Sequence, residues 1–573
     1  MLPVYEENRL ISGEYDKNLA AVCDNGIFVG QKKDGILSFK GIPFAKAPVG
    51  ALRWKAPQKC EISAAVREAY HFGPSPIQTV IPSERASMYE QSEDCLYLNI
   101  WKYTGEKSLA EAAQESAFVP DTPTMVFIHG GSYGWGGTSD PLYDGQNFVK
   151  AHPETVLITI AYRTGIMGFL NFEKVKGGKE YEDACNLGLL DQIAALEWVQ
   201  RNIRAFGGHS ENVTVFGESA GGGSVSILPV LERTEGLFRR VIAESGAVNL
   251  SFSRKESYQL TEMLMKESGA GNMQDLLAMT EDELKTVNQK LNEFNNFPIR
   301  DGRIVPEDLY GAYEKGAGSN VDMMIGTNAD EVRYWINEVG GEGRYRLSIP
   351  VLFENYLKKM SPKDRQTARE FISGQKGMPS WRITEFMNEV SFRGPSIRQA
   401  ELHYLAAKQH RERTGKGGST YMYYWTYPSA LPNMGACHAV ELAYVFNNLE
   451  EKIYTGDNIN AGLAAAVQEM WVSYARNGDP SVPGHAWAEY EPEGTDPSRK
   501  PVAAPRRTMM LGSRIGIVSD PIQEERVLTA PLLKYNINGT YTKLDFNVPF
   551  VWALAVLACA VLAVVAALLI FIF

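Results

Sequence analysis

Residues 213–216 (VTVF) form a short β-prone run, apolar but for Thr214, and the run stops at Gly217-Glu218-Ser219-Ala220-Gly221. A Gly/Ala/Ser-rich stretch follows, suited to starting a helix at once. A strand that turns directly into a helix around one serine leaves little room, so the positions flanking Ser219 must be small. A β-prone run with no charged residue alternating along it belongs in a sheet covered on both faces. This one string therefore asks for a buried strand, a tight elbow and a serine lifted clear of the sheet edge.

The rest of the chain supplies the sheet. Further apolar β-rich runs lie at 96–102, 125–129, 156–162, 241–244, 321–325 and 420–427, alternating with helical stretches. Residues 187–201 (LGLLDQIAALEWVQR) carry apolar side chains at helical spacing and predict a helix between two strands. The alternation predicts an α/β fold with a large mixed, mostly parallel central sheet flanked by helices. Residues 106–114, rich in Ala and Glu, read as a surface helix or loop insertion. Stretches 251–300 and 345–415 are helical with one polar face; they either cap the strand ends or cover the sheet. With 573 residues and 44% apolar side chains, the chain buries a large core without disulfides or metals. A net charge of −11 argues against nucleic acid as the main partner, because phosphate contacts need a basic surface.

A serine hydroxyl is a poor nucleophile until a base activates it. In the strand–elbow–helix arrangement the acid and then the histidine follow the serine in the chain. Of eight histidines, that order excludes His71, His129, His152 and His209. His403 and His410 lie in a charged helical stretch (ELHYLAAKQHRER) and are expected to be solvated, and His485 sits in a late loop past Gly484. His438, in the loop after the run 420–427, is the base of choice. The acid belongs just after the run 321–325, where Asp330 and Glu331 are adjacent; spacing alone does not separate them. His129-Gly130-Gly131 ends another strand, and the N–H groups of Gly130, Gly131 and Ala220 are placed to form an oxyanion hole. Glu218, beside the serine, is expected to hydrogen-bond within the elbow.

Several segments carry a resemblance: 41–57 (GIPFAKAPVGALRWKAP), 92–101 (SEDCLYLNIW), 129–133, 186–208 (NLGLLDQIAALEWVQRNIRAFGG), 212–222 (NVTVFGESAGG) and 326–331. Together they resemble the type-B carboxylesterase family, which includes cholinesterases and bacterial para-nitrobenzyl esterases. The resemblance runs over nearly all of residues 20–515. It implies an α/β-hydrolase fold and hydrolysis of a carboxylic ester through an acyl-enzyme, with Ser219 as nucleophile, His438 as base and Glu331 as acid. It implies a small-molecule ester as substrate; the apolar C-terminal run 548–573 adds a lipid-derived ester as an expectation. The alternatives are a lipase, thioesterase or amidase with the same machinery, or a non-catalytic adhesion or scaffold protein on the same fold. Secreted relatives close the loop before S-E-D-C with a disulfide. Here Phe72-Gly73-Pro74 is followed by Ser75, which leaves Cys95 without its usual partner and Cys60 as an out-of-place substitute. That loop, 75–93, holds no Trp, so the aromatic platform that cholinesterases use for a quaternary ammonium is absent there.

No cofactor or metal is expected: the sequence has no HExxH, no P-loop, no GxGxxG after a strand and no CxxC. No oligomeric state follows from it either. The first twenty residues carry no apolar core of a signal peptide. Residues 548–573 hold no charged or strongly polar side chain, and at about 1.5 Å per residue a helix of that run would cross a ~30 Å hydrocarbon core. The sequence thus predicts a hydrolase domain over 1–535, a juxtamembrane linker over 536–547 and a transmembrane helix over 548–573. The expected location is a membrane, with a single-pass C-terminal anchor and a cytoplasmic body.

Overall fold

The computed structural model describes residues 6–81, 89–117, 122–291, 296–338, 341–492, 505–536 and 554–562. Eleven strands form one sheet: β1 (Gln31–Lys33), β2 (Ile36–Pro43), β3 (Tyr97–Tyr103), β4 (Thr124–Ile128), β5 (Val156–Ile160), β6 (Val213–Glu218), β7 (Arg240–Glu244), β8 (Asp322–Asn328), β9 (Thr420–Trp425), β10 (Arg507–Leu511) and β11 (Gly516–Ser519). Their spatial order is β11-β10-β9-β8-β7-β6-β4-β5-β3-β2-β1. The stretch from β10 to β5 is parallel throughout. The edges, β11 on one side and β3 to β1 on the other, pair antiparallel. The expected α/β-hydrolase sheet is present.

The burial pattern follows from composition. Every residue of β4, β5, β6, β7 and β9 is buried, as required of parallel strands with layers on both faces. One layer includes helix α1 (Leu187–Asn202), whose Leu196, Trp198 and Val199 pack in a common core with Val215 and Val241. The opposite layer includes α5 (Ala461–Asn477), where Trp471 and Tyr474 share a second core with Phe127, Phe216 and Phe446. Between these in the chain lie α2 (Ala220–Ile227), α3 (Glu342–Lys358) and α4 (Gly394–Thr414).

The two helical stretches of uncertain role divide. Residues 251–300 place Leu260, Leu264, Leu284 and Val287 in the first core, so they cover the sheet. Residues 332–392 build a third core of their own around Tyr345, Phe353 and Phe386. Its Trp335 and Phe392 reach the strand ends and pack on His438, as a cap would. The polar 106–114 region is a helix, Leu109–Ala117.

The C-terminal expectation is corrected. Among the described residues, no helix is long and apolar enough to cross a membrane. Of the run 548–573, the structure describes a helix over 554–562. Nine residues rise only about 13 Å, well short of the ~30 Å required. Residues 548–553 and 563–573, and with them most of the linker 536–547, lie outside the described residues. The transmembrane helix, and the membrane location and contact built on it, are therefore withdrawn: no described helix carries the span that the apolar composition suggested.

Candidate active site

Ser219 sits between β6 and α2 with φ 58° and ψ −120°, a strained conformation for a residue with a side chain. Surrounding contacts hold it there. Its N–H donates to the Glu244 carbonyl at 2.9 Å, and its carbonyl accepts from Gly223 N–H at 2.8 Å. The flanking glycines are needed for space: a Cβ on Gly217 would lie 2.6 Å from the Ile128 carbonyl oxygen, and one on Gly221 only 1.9 Å from it. The elbow thus packs against the end of β4, which brings His129, Gly130 and Gly131 beside the serine. A Cβ on Gly130 would stand 3.0 Å from the Ser219 Cβ.

The other two predicted residues arrive from β8 and from the loop after β9. Glu331 opens a short helical turn just beyond β8 and is fully buried. His438 is 4% exposed. Its Nδ1 lies 2.6 Å from Glu331 Oε2, a short contact typical of a charge-assisted bond. The second carboxylate oxygen of Glu331 accepts from the Asn328 N–H at 2.7 Å. Asp330, its neighbour, turns the other way: it pairs with Arg333 at 2.9 Å and accepts from Ala436 N–H at 2.8 Å. The imidazole is walled by Tyr334, Trp335 and Phe392, with ring centroids 5.7, 5.4 and 5.1 Å away.

Ser219, His438, Gly130 and Gly131 line one pocket, together with Trp135 and Tyr454. The imidazole Nε2 lies 3.2 Å from Glu218 Oε1, out of hydrogen-bond alignment. No hydrogen bond joins Ser219 to that nitrogen in this structure; in resting hydrolases such bonds are often long and tighten only with substrate. Glu218 therefore contacts the imidazole, rather than serving only the elbow as its position in the sequence suggested.

Sequence reasoning also missed a buried carboxyl cluster beneath the pocket. Glu441 is pushed up to about 8, by burial first and then by the Glu218 and Glu331 carboxylates. Glu244 is driven up by burial and by Glu441, although it accepts a 2.6 Å bond from Trp471 Nε1. Burial thus biases both carboxyls toward their neutral form, which lowers the negative charge concentrated at the site. Their positions in chain carried no signal, since each lies three residues or more from any motif. His403, expected to be solvated, is instead fully buried. Its ring nitrogens meet Thr420 Oγ1 at 2.8 Å and the Val321 carbonyl at 2.9 Å, and burial lowers its pKa to about 4. It ties α4 to the sheet far from the serine. Cys60 and Cys95 are both free thiols, so the substitute disulfide does not form.

The chain as a whole is similar to known proteins. The carboxylesterase family model matches residues 23–501. The para-nitrobenzyl esterase of Bacillus subtilis (strain 168) is 33% identical over 523 residues, covering 87% of this chain and 95% of that protein. Carboxylesterase 1D of Rattus norvegicus is 32% identical over 500 residues, covering 79% of this chain and 83% of that protein. A crystal structure of a Geobacillus stearothermophilus carboxylesterase matches with a TM-score of 0.74 at 30% identity, covering 89% of this chain and 99% of the other.

Proposed function

The chain belongs to the carboxylesterase family and is a carboxylic ester hydrolase; from that premise we propose that it works through an acyl-enzyme on Ser219, with His438 as base and Glu331 as the acid that orients it. Ser219 Oγ attacks the ester carbonyl while His438 Nε2 takes the hydroxyl proton. Glu331 keeps the imidazole proton on Nδ1, leaving Nε2 free to accept, and stabilises the imidazolium once it forms. The negative charge that develops on the carbonyl oxygen is met by the N–H groups of Gly130, Gly131 and Ala220. His438 then returns its proton to the leaving alcohol. Water enters, gives a proton to the same nitrogen, and releases the acid from the serine.

The observation that supports this reading most is the 2.6 Å contact between two buried groups, His438 and Glu331, at the pocket that Ser219 lines. A buried carboxylate held against a buried imidazole is costly unless the pair has work to do together. The substrate in this reading is a small carboxylic ester. The test is hydrolysis of p-nitrophenyl acetate by Ser219→Ala. The reading expects turnover to fall by at least about 10³-fold, with the remainder supplied by the oxyanion hole alone, and with an unchanged melting temperature; turnover within tenfold of the parent would remove Ser219 from its role.

A further inference from the structure

The proposed chemistry needs Gly130 and Gly131 to present their N–H groups to a substrate oxygen. Glycine is the residue least able to hold a peptide plane by itself. In a trans peptide the carbonyl of one residue points opposite to the N–H of the next, so whatever grips a carbonyl aims the N–H that follows. The His129 carbonyl accepts a 2.9 Å bond from the Tyr162 hydroxyl. The Gly130 carbonyl lies 2.8 Å from Nδ1 of the His129 ring. A carbonyl only accepts, so that nitrogen carries the ring proton. The Tyr162 ring stacks on this imidazole, with centroids 4.5 Å apart and planes at 22°. One tyrosine thus holds the first carbonyl by its hydroxyl and supports the ring that holds the second.

Tyr162 and His129 are both buried. A backing layer keeps them in place. A Cβ on Gly136 would fall 2.5 Å from His129 Nδ1 and 2.7 Å from the Gly130 oxygen, so Gly136 closes over their contact. Gln78 clamps Gly136 with both ends of its amide, accepting from the Gly136 N–H at 2.7 Å and donating to its carbonyl at 2.8 Å. Among the described residues, the N–H groups of Gly130 and Gly131 find no acceptor in the protein, and both glycines line the pocket with Ser219.

We propose that Tyr162 and His129 are positioning residues that preset the oxyanion hole: the Tyr162 hydroxyl aims the Gly130 N–H, and the His129 Nδ1–H aims the Gly131 N–H, before substrate arrives. Neither touches substrate. The inference rests on the Ser219 reading above and adds the origin of the hole's preorganisation. Burial holds His129 down at about 4, so the ring stays neutral and its single N–H stays committed to Gly130 at neutral pH.

Tyr162→Phe in the full chain removes one oxygen and keeps the ring over His129. Losing a whole oxyanion donor costs about 10²–10³ in rate, and a donor that is only loosened keeps part of its effect, so kcat on p-nitrophenyl acetate should fall about 10–30-fold with KM within about twofold. Affinity for an alkyl trifluoromethyl ketone, which forms a tetrahedral adduct on the serine, should fall by the same factor as kcat/KM. A second pair guards against a folding defect: His129→Asn, which keeps an N–H donor near the Nδ1 position, should retain most of the turnover that His129→Leu loses. The proposal is overturned if Tyr162→Phe leaves kcat and ketone affinity unchanged, if it raises KM alone, or if folded His129→Asn is as slow as His129→Leu. These outcomes are distinguishable from failure of the Ser219 reading, which would show as turnover by Ser219→Ala within tenfold of the parent.

Discussion

Glu331→Gln isolates one charge at one buried position. The glutamate divides its two oxygens between Asn328 N–H at 2.7 Å and His438 Nδ1 at 2.6 Å. In the variant only the amide oxygen satisfies the Asn328 N–H, so the amide NH₂ is left facing Nδ1. A donor meeting Nδ1 forces the ring proton to Nε2, the nitrogen that must accept from Ser219. The base is therefore in the wrong tautomer. The imidazolium also loses its counter-charge. Two charges about 4 Å apart at an effective dielectric of about 20 interact by about 4 kcal/mol, which is about three decades in rate. The expected loss in kcat on p-nitrophenyl acetate is thus 10³–10⁴-fold, in the range found when a serine triad loses its acid. Asp330→Asn is the control, because Asp330 faces Arg333 and the Ala436 N–H; it should stay within about fivefold of the parent by the usual scale of surface ion pairs. A Glu331→Gln enzyme within tenfold of the parent, or a larger loss in Asp330→Asn, would refute the reasoning.

Two further predictions concern stability. Asp191 takes Arg163 in a bidentate pair, 2.8 Å to Nε and 2.7 Å to Nη2, with both side chains no more than 1% exposed. Asp191→Asn leaves a buried guanidinium uncompensated and should cost about 3–5 kcal/mol in urea unfolding; a loss below 1 kcal/mol would contradict this. Glu441 is held at about 8 against an ordinary 4.5. With its folded value raised, its contribution to stability is fully present below the ordinary value and is lost as pH rises from there to about 8. Glu441→Gln copies the protonated form, so its melting temperature should fall less between pH 5 and 8 than the parent's. Parallel curves would show that Glu441 ionises normally.

How much of this was readable in the sequence depends on how local the signal is. The strands β4, β6 and β9 were legible because burial on both faces leaves runs dominated by apolar and β-branched side chains. The elbow was legible because steric crowding by the Ile128 carbonyl demands glycine at 217 and 221. Asp330 and Glu331 were not separable from spacing, since one step around a tight turn decides which carboxylate meets His438; only the family resemblance favoured Glu331. His403 was misjudged because its charged neighbours Lys408, Arg411 and Arg413 mask a helix face that buries Ala400, His403 and Ala407 against the sheet. Glu441 and Tyr162 reach the site through tertiary packing alone, as does the contact of Glu218 with the imidazole, and no periodicity encodes that. At the C-terminus the error ran the other way: hydropathy read along a line gives apolar length, and among the described residues no helix is long and apolar enough to cross a membrane.

The most direct measurement is labelling of the full chain with a fluorophosphonate, followed by peptide mapping. A serine poised by His438 and Glu331 predicts one modified side chain, Ser219, with labelling abolished in Ser219→Ala and slowed at least a hundredfold, on the order of the triad's own contribution, in Glu331→Gln. A chain that takes no label, or takes it at another residue, would contradict the account.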